Sequence, residues 1–166
     1  MKQCKTRIVS AFPACGKSHL FWNSKDNLIA DSDSSKFSWV EDEKGNKTRN
    51  PDFPSNYIKH IKSLIGEVDF IFVSSHEDVR KALNDNELFY TLVIPDVSLR
   101  EEWIGRCFVR GNDYKFMAVL CKNWYEWLNP LKIHNGDYQV ATCRLQHGEY
   151  LSDKIDWVEN CTIPCN

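Results

Sequence analysis

The sequence predicts an α/β protein: a parallel, doubly wound sheet with helices on both faces. Three observations predict it. Mainly apolar runs at Arg7–Ala11, Val68–Val73 (unbroken apart from Asp69) and Phe89–Ile94 are the pattern of strands buried on both faces rather than one. Segments with apolar residues at helical spacing separate them, as in Tyr57, Ile58, Ile61, Leu64 and Ile65. The two kinds of segment alternate along the chain, and parallel neighbours joined by helices follow from that alternation.

Taken in order, Arg7–Ala11 is a strand, and Pro13 and Gly16 mark the turn after it. A helix begins at Lys17. Leu28–Ala30 is a second strand, ending in Asp31-Ser32-Asp33-Ser34-Ser35. Residues 41–52 are polar, contain Gly45 and Pro51, and read as loop. A helix over Asn56–Ile65 and the strand at Val68–Val73 follow. His76–Leu83 is a short helix with Ser75 as its expected cap, and Phe89–Ile94 is a strand stopped by Pro95-Asp96. Ser98 with Glu101 three residues later forms a capping box for a helix ending at Gly111-Asn112. Tyr114–Leu128 is a second long helix, Tyr138–Leu145 a last strand, and Leu151–Val158 a short helix. One domain over residues 1–166 accounts for all of this, with the helical segment at about 100–128 as a lid-like element.

Composition excludes several classes. At 42% hydrophobic and 27% charged residues the chain is too apolar for disorder and too charged for a membrane protein. No apolar run has the length of a spanning helix, and Met1-Lys2-Gln3-Cys4-Lys5 lacks the core of a signal peptide. The expected location is the cytoplasm. A net charge of −2 gives no global pull toward nucleic acid. The cysteines, seven in number, show no Cys-x-x-Cys pair, so they read as scattered reduced thiols, with Cys15 the one whose oxidation or alkylation would block a site.

That site is Ala11-Phe12-Pro13-Ala14-Cys15-Gly16-Lys17-Ser18, between a buried strand and a helix. The pattern A-x-x-x-x-G-K-S matches a phosphate-binding loop except that Ala11 stands at the first glycine. Backbone N–H groups of Pro13–His19 would surround phosphates, excepting Pro13, which has none. Lys17 would reach the β- and γ-phosphates, and the Ser18 hydroxyl would hold Mg²⁺. ATP with Mg²⁺ is the expected ligand. An ordinary strand–turn–helix with a surface lysine is the bland alternative.

Asp31 and Asp33 stand at the carboxyl end of the second strand, the edge where open α/β sheets bind ligands. They are candidates for a general base or, in the case of Asp33, a Mg²⁺ partner; turn formation and helix capping compete. Arg106 and Arg110 share a helix face and suit the charge of a transferring phosphoryl group, whereas a Glu102–Arg106 salt bridge is the plainer account. Arg49 and Arg80 are candidates for an anionic acceptor, and His76 for orienting phosphate or water. Trp103, Trp124, Tyr125 and Trp127 read as packing residues. His60, His134 and His147 have no metal-like spacing.

The segments Ala-Phe-Pro-x-x-Gly-Lys-Ser at 11–18, Asp-Ser-Asp-Ser-Ser at 31–35, Asn-Pro-Asp-Phe-Pro at 50–54, Arg-Gly-Asn at 110–112, Asn-Trp-x-x-Trp at 123–127 and Gly-Glu-Tyr-Leu-Ser-Asp at 148–153 together resemble a group of small phage-type P-loop kinases. That group is similar to the nucleoside monophosphate kinases of the adenylate and thymidylate kinase superfamily. The resemblance implies the three-layer P-loop NTPase fold, a five-stranded parallel sheet, ATP as donor, Mg²⁺ and an arginine-bearing lid. It assigns phosphate and metal to Lys17 and Ser18, the acceptor to Asp31 and Asp33, the lid to Arg106 and Arg110, and the donor base to the neighbourhood of Gly148–Leu151. Ala11 and Ala14 depart from the glycines common in such loops.

Three functions compete. The first is a (deoxy)nucleoside monophosphate kinase with a nucleotide acceptor. The second is a kinase for a hydroxyl on a nucleoside, a small alcohol or a hydroxymethylated base in DNA, which Asp31-x-Asp33 suits because a hydroxyl needs a base. The third is a nucleotide-binding regulator without turnover. No membrane partner is expected, and such kinases are monomers or homodimers.

Overall fold

A computed structural model describes residues 5–129 and 140–166. Its main sheet has five parallel strands: β1 (Arg7–Ala11), β2 (Ile29–Asp31), β5 (Phe70–Ser74), β6 (Tyr90–Pro95) and β7 (Val140–Leu145). Their spatial order is β2–β5–β1–β6–β7. The sequence-first strand β1 therefore lies at the centre, with Ile8 opposite both Ile71 and Tyr90. The expected start of the last strand, Tyr138, and the residues Cys4 and His134 lie outside the described residues.

Central placement explains the composition. Ile8, Val9, Phe70, Ile71, Phe72, Val73, Leu92, Val93 and Ile94 are all buried, because helices cover both faces of these strands. The helices are α1 (Lys17–Asn23), α2 (Ser35–Ser38), α3 (Ser55–Leu64), α4 (Glu77–Asp85), α5 (Arg100–Val109), α6 (Tyr114–Trp127) and α7 (Ile155–Glu159). Tyr57, Ile58 and Ile61 of α3, and Val79, Ala82 and Leu83 of α4, are buried as their spacing predicts. Among the described residues no helix is long and apolar enough to cross a membrane.

Three local expectations are corrected. Residues 41–52 are not all loop: β3 (Trp39–Glu41) and β4 (Lys47–Arg49) pair antiparallel as a separate ribbon. Asp42 holds its turn, accepting from the N–H groups of Lys44 and Asn46. Ser98 does not cap α5. Asp96 accepts from the Ser98 N–H and hydroxyl, a 3₁₀ turn spans Val97–Leu99, and α5 starts at Arg100. The Leu151–Val158 helix is a 3₁₀ turn, Leu151–Lys154, followed by α7.

The N-terminal half of the core also carries a compact ring stack. Tyr57 lies 5.2 Å from Phe37 and 6.0 Å from Phe53, ring centre to ring centre, and His60 lies 4.7 Å from Phe37. Tyr57 donates its hydroxyl to Ser32 O at 2.6 Å, and His60 Nε2 meets Ser32 Oγ at 3.0 Å. These bonds fix the segment after β2.

Candidate functional site

The chain leaves β1 toward one side of the sheet and returns across it between β5 and β6. The carboxyl end of β1 is thus where the strand order switches, the usual position of a ligand crevice in such sheets. A cleft of about 920 Å³ opens there, and Pro13–His19, Asp31, Asp33, Arg106, Arg110 and Tyr150 all line it. The structure therefore brings together the residues singled out for the loop, the two aspartates and the arginine pair Arg106 and Arg110.

The loop is shaped by its backbone. Phe12 N–H donates to Val93 O at 2.9 Å, holding the end of β1 on β6. Ala14 (φ 62°) and Gly16 (φ 95°) both adopt left-handed conformations, which turn successive amides to one side as in an anion-binding nest. Glycine meets no steric cost at such an angle, but Ala14 does. A Cβ on Gly16 would also come within 3.3 Å of the Tyr150 ring.

The loop's carbonyls are tied down one after another. Lys17 Nζ donates to Ala11 O at 2.8 Å, Trp103 Nε1 to Pro13 O at 2.8 Å, and the Leu151 N–H to Cys15 O at 2.8 Å. Arg106 Nη1 reaches Ala14 O at 3.5 Å. Among the described residues, the N–H groups of Ala14, Gly16, Lys17, Ser18 and His19 have no acceptor. The loop thus presents donors and hides acceptors. Pro13 and Cys15 line the cleft without adding to these donors, since Pro13 has no N–H and Cys15 donates its own to Phe12 O.

Burial lowers the pKa of the Lys17 ammonium, the nearby Asp31 and Asp33 carboxylates oppose that shift, and Arg110 adds to it. An ammonium already partly stripped of water interacts strongly with an anion that restores its charge balance. Ser18 Oγ lies 3.4 Å from Asp31 Oδ2. The carboxylate beside the Ser18 hydroxyl is therefore Asp31; the Asp33 side chain accepts from the Ser35 N–H at 2.9 Å. Among the described residues no group of three or more His, Cys, Asp or Glu converges as a metal site. Ser18 and Asp31 fit a cation whose remaining ligands come from phosphate and water, the common arrangement for Mg²⁺.

The two arginines divide. Arg106 is packed between Trp103 and Tyr150, 4.0 Å from each ring centre. It pairs with Glu102 at 2.6 Å and donates to Glu149 O at 2.8 Å. Glu102 also accepts from the Gly148 N–H at 3.0 Å and contacts His147 Nδ1 at 2.7 Å. The helix salt bridge anticipated for Glu102–Arg106 and the placement of Arg106 in the cleft both hold. Among the described residues, the Arg110 side chain has no hydrogen-bond or ion-pair partner, and it lines the cleft with Val109.

Other expectations fare differently. The Cys15 thiol is not a reactive handle: it is 1% exposed, and burial pushes its pKa up to about 12. The described cysteines are all free thiols. Arg49 is held by Asp78 at 2.7 Å and lies over Phe53, and Arg80 donates to Ser75 O; neither lines the main cleft. His76 does. Trp103 and Trp124 are core residues, whereas Tyr125 is exposed. The sequence reading missed Trp103 and Leu151 as anchors of the loop. The signal for Leu151 was the Gly148-Glu149-Tyr150-Leu151 segment; Trp103 offered only its position three residues before Arg106.

Comparison of the chain with family models, with curated proteins and with solved structures finds no match in any of the three.

Proposed function

We propose that this chain is an ATP-dependent phosphotransferase with the P-loop NTPase fold, acting on a nucleotide or nucleoside. One observation carries the reading: the loop after the central strand presents unpartnered N–H groups beside Lys17, while Lys17, Trp103, Arg106 and Leu151 hold its carbonyls away. That polarity suits an anion, and five N–H groups free among the described residues, beside a lysine, suit a polyphosphate well.

In this reading the loop amides and Lys17 bind the β- and γ-phosphates, and Ser18 with Asp31 behind it holds the metal. Magnesium, when bound, neutralises phosphate charge. Arg110 pairs with the charge on the transferring group's equatorial oxygens. The bond between the acceptor oxygen and the γ-phosphorus forms as the bond from that phosphorus to the β–γ bridging oxygen breaks, and ADP leaves. The acceptor expected from the sequence is a (deoxy)nucleoside monophosphate, whose phosphate needs no base.

A second acceptor, a hydroxyl, is favoured by the position of Asp31 and Asp33 in the cleft. Two carboxylates repel an incoming phosphate but suit a hydroxyl, whose proton one of them would take. Nucleosides, small alcohols and hydroxymethylated bases in DNA are such acceptors.

The deciding measurement is ATP consumption across deoxynucleoside monophosphates, nucleosides and hydroxymethyluracil-containing DNA. Turnover with at least one of them, lost in Lys17→Met with the fold intact, is expected. Turnover unchanged by Lys17→Met would remove the basis of the reading. ATP binding without turnover on any acceptor would leave a nucleotide-binding regulator.

A further inference from the structure

A second cavity, of about 620 Å³, adjoins the cleft. It lies between α4 and α6, over Leu92 and Ile94 of β6, with Phe12 and Trp127 among its walls. Phe12, Pro13 and His76 line both spaces, so the turn after β1 is the partition between them. Packed interiors leave few voids larger than a water molecule, and this volume falls in the range of small-molecule sites.

Its walls are set independently of any ligand. Phe12 is fixed through its N–H to Val93 O, and its ring meets Trp124 edge-on at 5.9 Å and Trp127 at 6.4 Å. Its floor and aromatic walls are apolar and suit a flat ring, while Asp78, Arg80, Lys81 and Glu126 give it a charged rim. His76 and Glu77 supply polar groups at its edge; among the described residues neither side chain has a hydrogen-bond partner. They match the donors and acceptors around a heterocycle. On the α3 side of the cleft, by contrast, Phe37, Phe53, Tyr57 and His60 pack ring against ring and fill the space themselves.

We infer that the cavity between α4 and α6 takes the heterocyclic base of the phosphoryl acceptor, a nucleoside or nucleotide, whose sugar end reaches past Pro13 to Lys17 and Asp31. The inference rests on the phosphotransferase reading and adds where the acceptor ring binds. It holds whether a phosphate or a hydroxyl is presented.

The test is an NMR titration of the full chain with the four common deoxynucleosides and their 5′-monophosphates, following the Trp127 indole N–H, assigned with Trp127→Phe. At least one probe should shift that signal, and ADP with Mg²⁺ should instead shift Gly16 and Lys17. Glu77→Gln, an exposed change, and Phe116→Trp, which fills the slot, should each weaken that probe by about tenfold or more while leaving ADP affinity unchanged. Saturable binding that moves only the Asp31–Asp33 signals would overturn the inference and leave the phosphotransferase reading standing. So would failure of every probe to bind. A Trp127 shift without ADP binding would keep the ring site and overturn the phosphotransferase reading.

Discussion

The Arg106 guanidinium sits 4.0 Å from the centre of the Tyr150 ring, and that same ring lies over Gly16 of the loop after β1. Tyr150 therefore joins the loop to α5 through a cation–π contact. The side chain of Arg106 is 9% exposed, so its pairing with Glu102 is sheltered from solvent.

Removing Arg106 should be costly for the fold. Arg106→Ala leaves Glu102 without its closest cation and Ala14 O without its donor, and about 3–5 kcal/mol of stability should be lost. Lysine should recover little, because one ammonium cannot stack between two rings and reach Glu102 and Glu149 together. Arg110→Ala should change stability by no more than about 0.5 kcal/mol while lowering phosphoryl transfer. Urea denaturation and turnover measured on the same three variants would check the contrast.

The acid stability of the molecule should report on Glu102. Burial raises its pKa, but the Gly148 N–H, Arg106 and His147 outweigh that and hold it below the ordinary 4.5. A carboxylate lowered in this way stabilises the fold fully above pH 4.5 and loses that contribution as pH falls through the lowered value. Glu102→Gln should therefore be less stable than the parent at neutral pH, with the difference closing below pH 4.5. Thermal unfolding from pH 3 to 7 is the measurement; a gap that stays constant over that range would contradict the assignment.

Ala14 is the place where a glycine should help. At φ 62° an alanine is held in a strained region, so Ala14→Gly should stabilise the fold by about 1 kcal/mol, less the extra freedom it gives the unfolded chain. The denaturation midpoint should rise. A loss of stability would show that the alanine methyl packs better than the turn is strained.

Cys15 should resist thiol reagents in the folded protein. With its pKa at about 12 and the side chain buried, almost no thiolate exists at pH 8. Labelling followed by peptide mass spectrometry should find, among the described cysteines, Cys121, Cys161 and Cys165 modified first, with Cys15 labelled only after unfolding.

Much of the fold was legible because buried parallel strands announce themselves. Ile8-Val9 and Phe70–Val73 admit no solvent face, and helical spacing at Tyr57, Ile58 and Ile61 points to one covered side. The β3–β4 ribbon was illegible for the opposite reason. Trp39, Val40, Glu41, Lys47, Thr48 and Arg49 are all exposed, so no burial pattern marks them as strand. The loop's residue types pointed to Lys17, Ser18 and the aspartates; the Trp103 and Leu151 contacts were hidden because they span 90 and 136 residues of chain, distances over which local pattern carries no information. Which aspartate faces Ser18 is decided by where β2 ends, and a shift of two residues there would exchange them.

The central position of β1 also sets an order of assembly. Its partners are Phe70–Ser74 on one side and Tyr90–Val93 on the other, and the loop that follows it is completed only by Trp103, Arg106 and Leu151. A chain emerging from the ribosome has made Lys17 long before it has made any of these. At ordinary synthesis rates the delay between Ser18 and Leu151 is on the order of ten seconds. β1 has no sheet to join until Phe70–Ser74 and Tyr90–Val93 have been made, and the loop after it stays unfinished until Leu151 has been. The loop's own residues are made early and its last support arrives late, so a ligand of the loop would stabilise the completed protein without guiding the first steps of its folding.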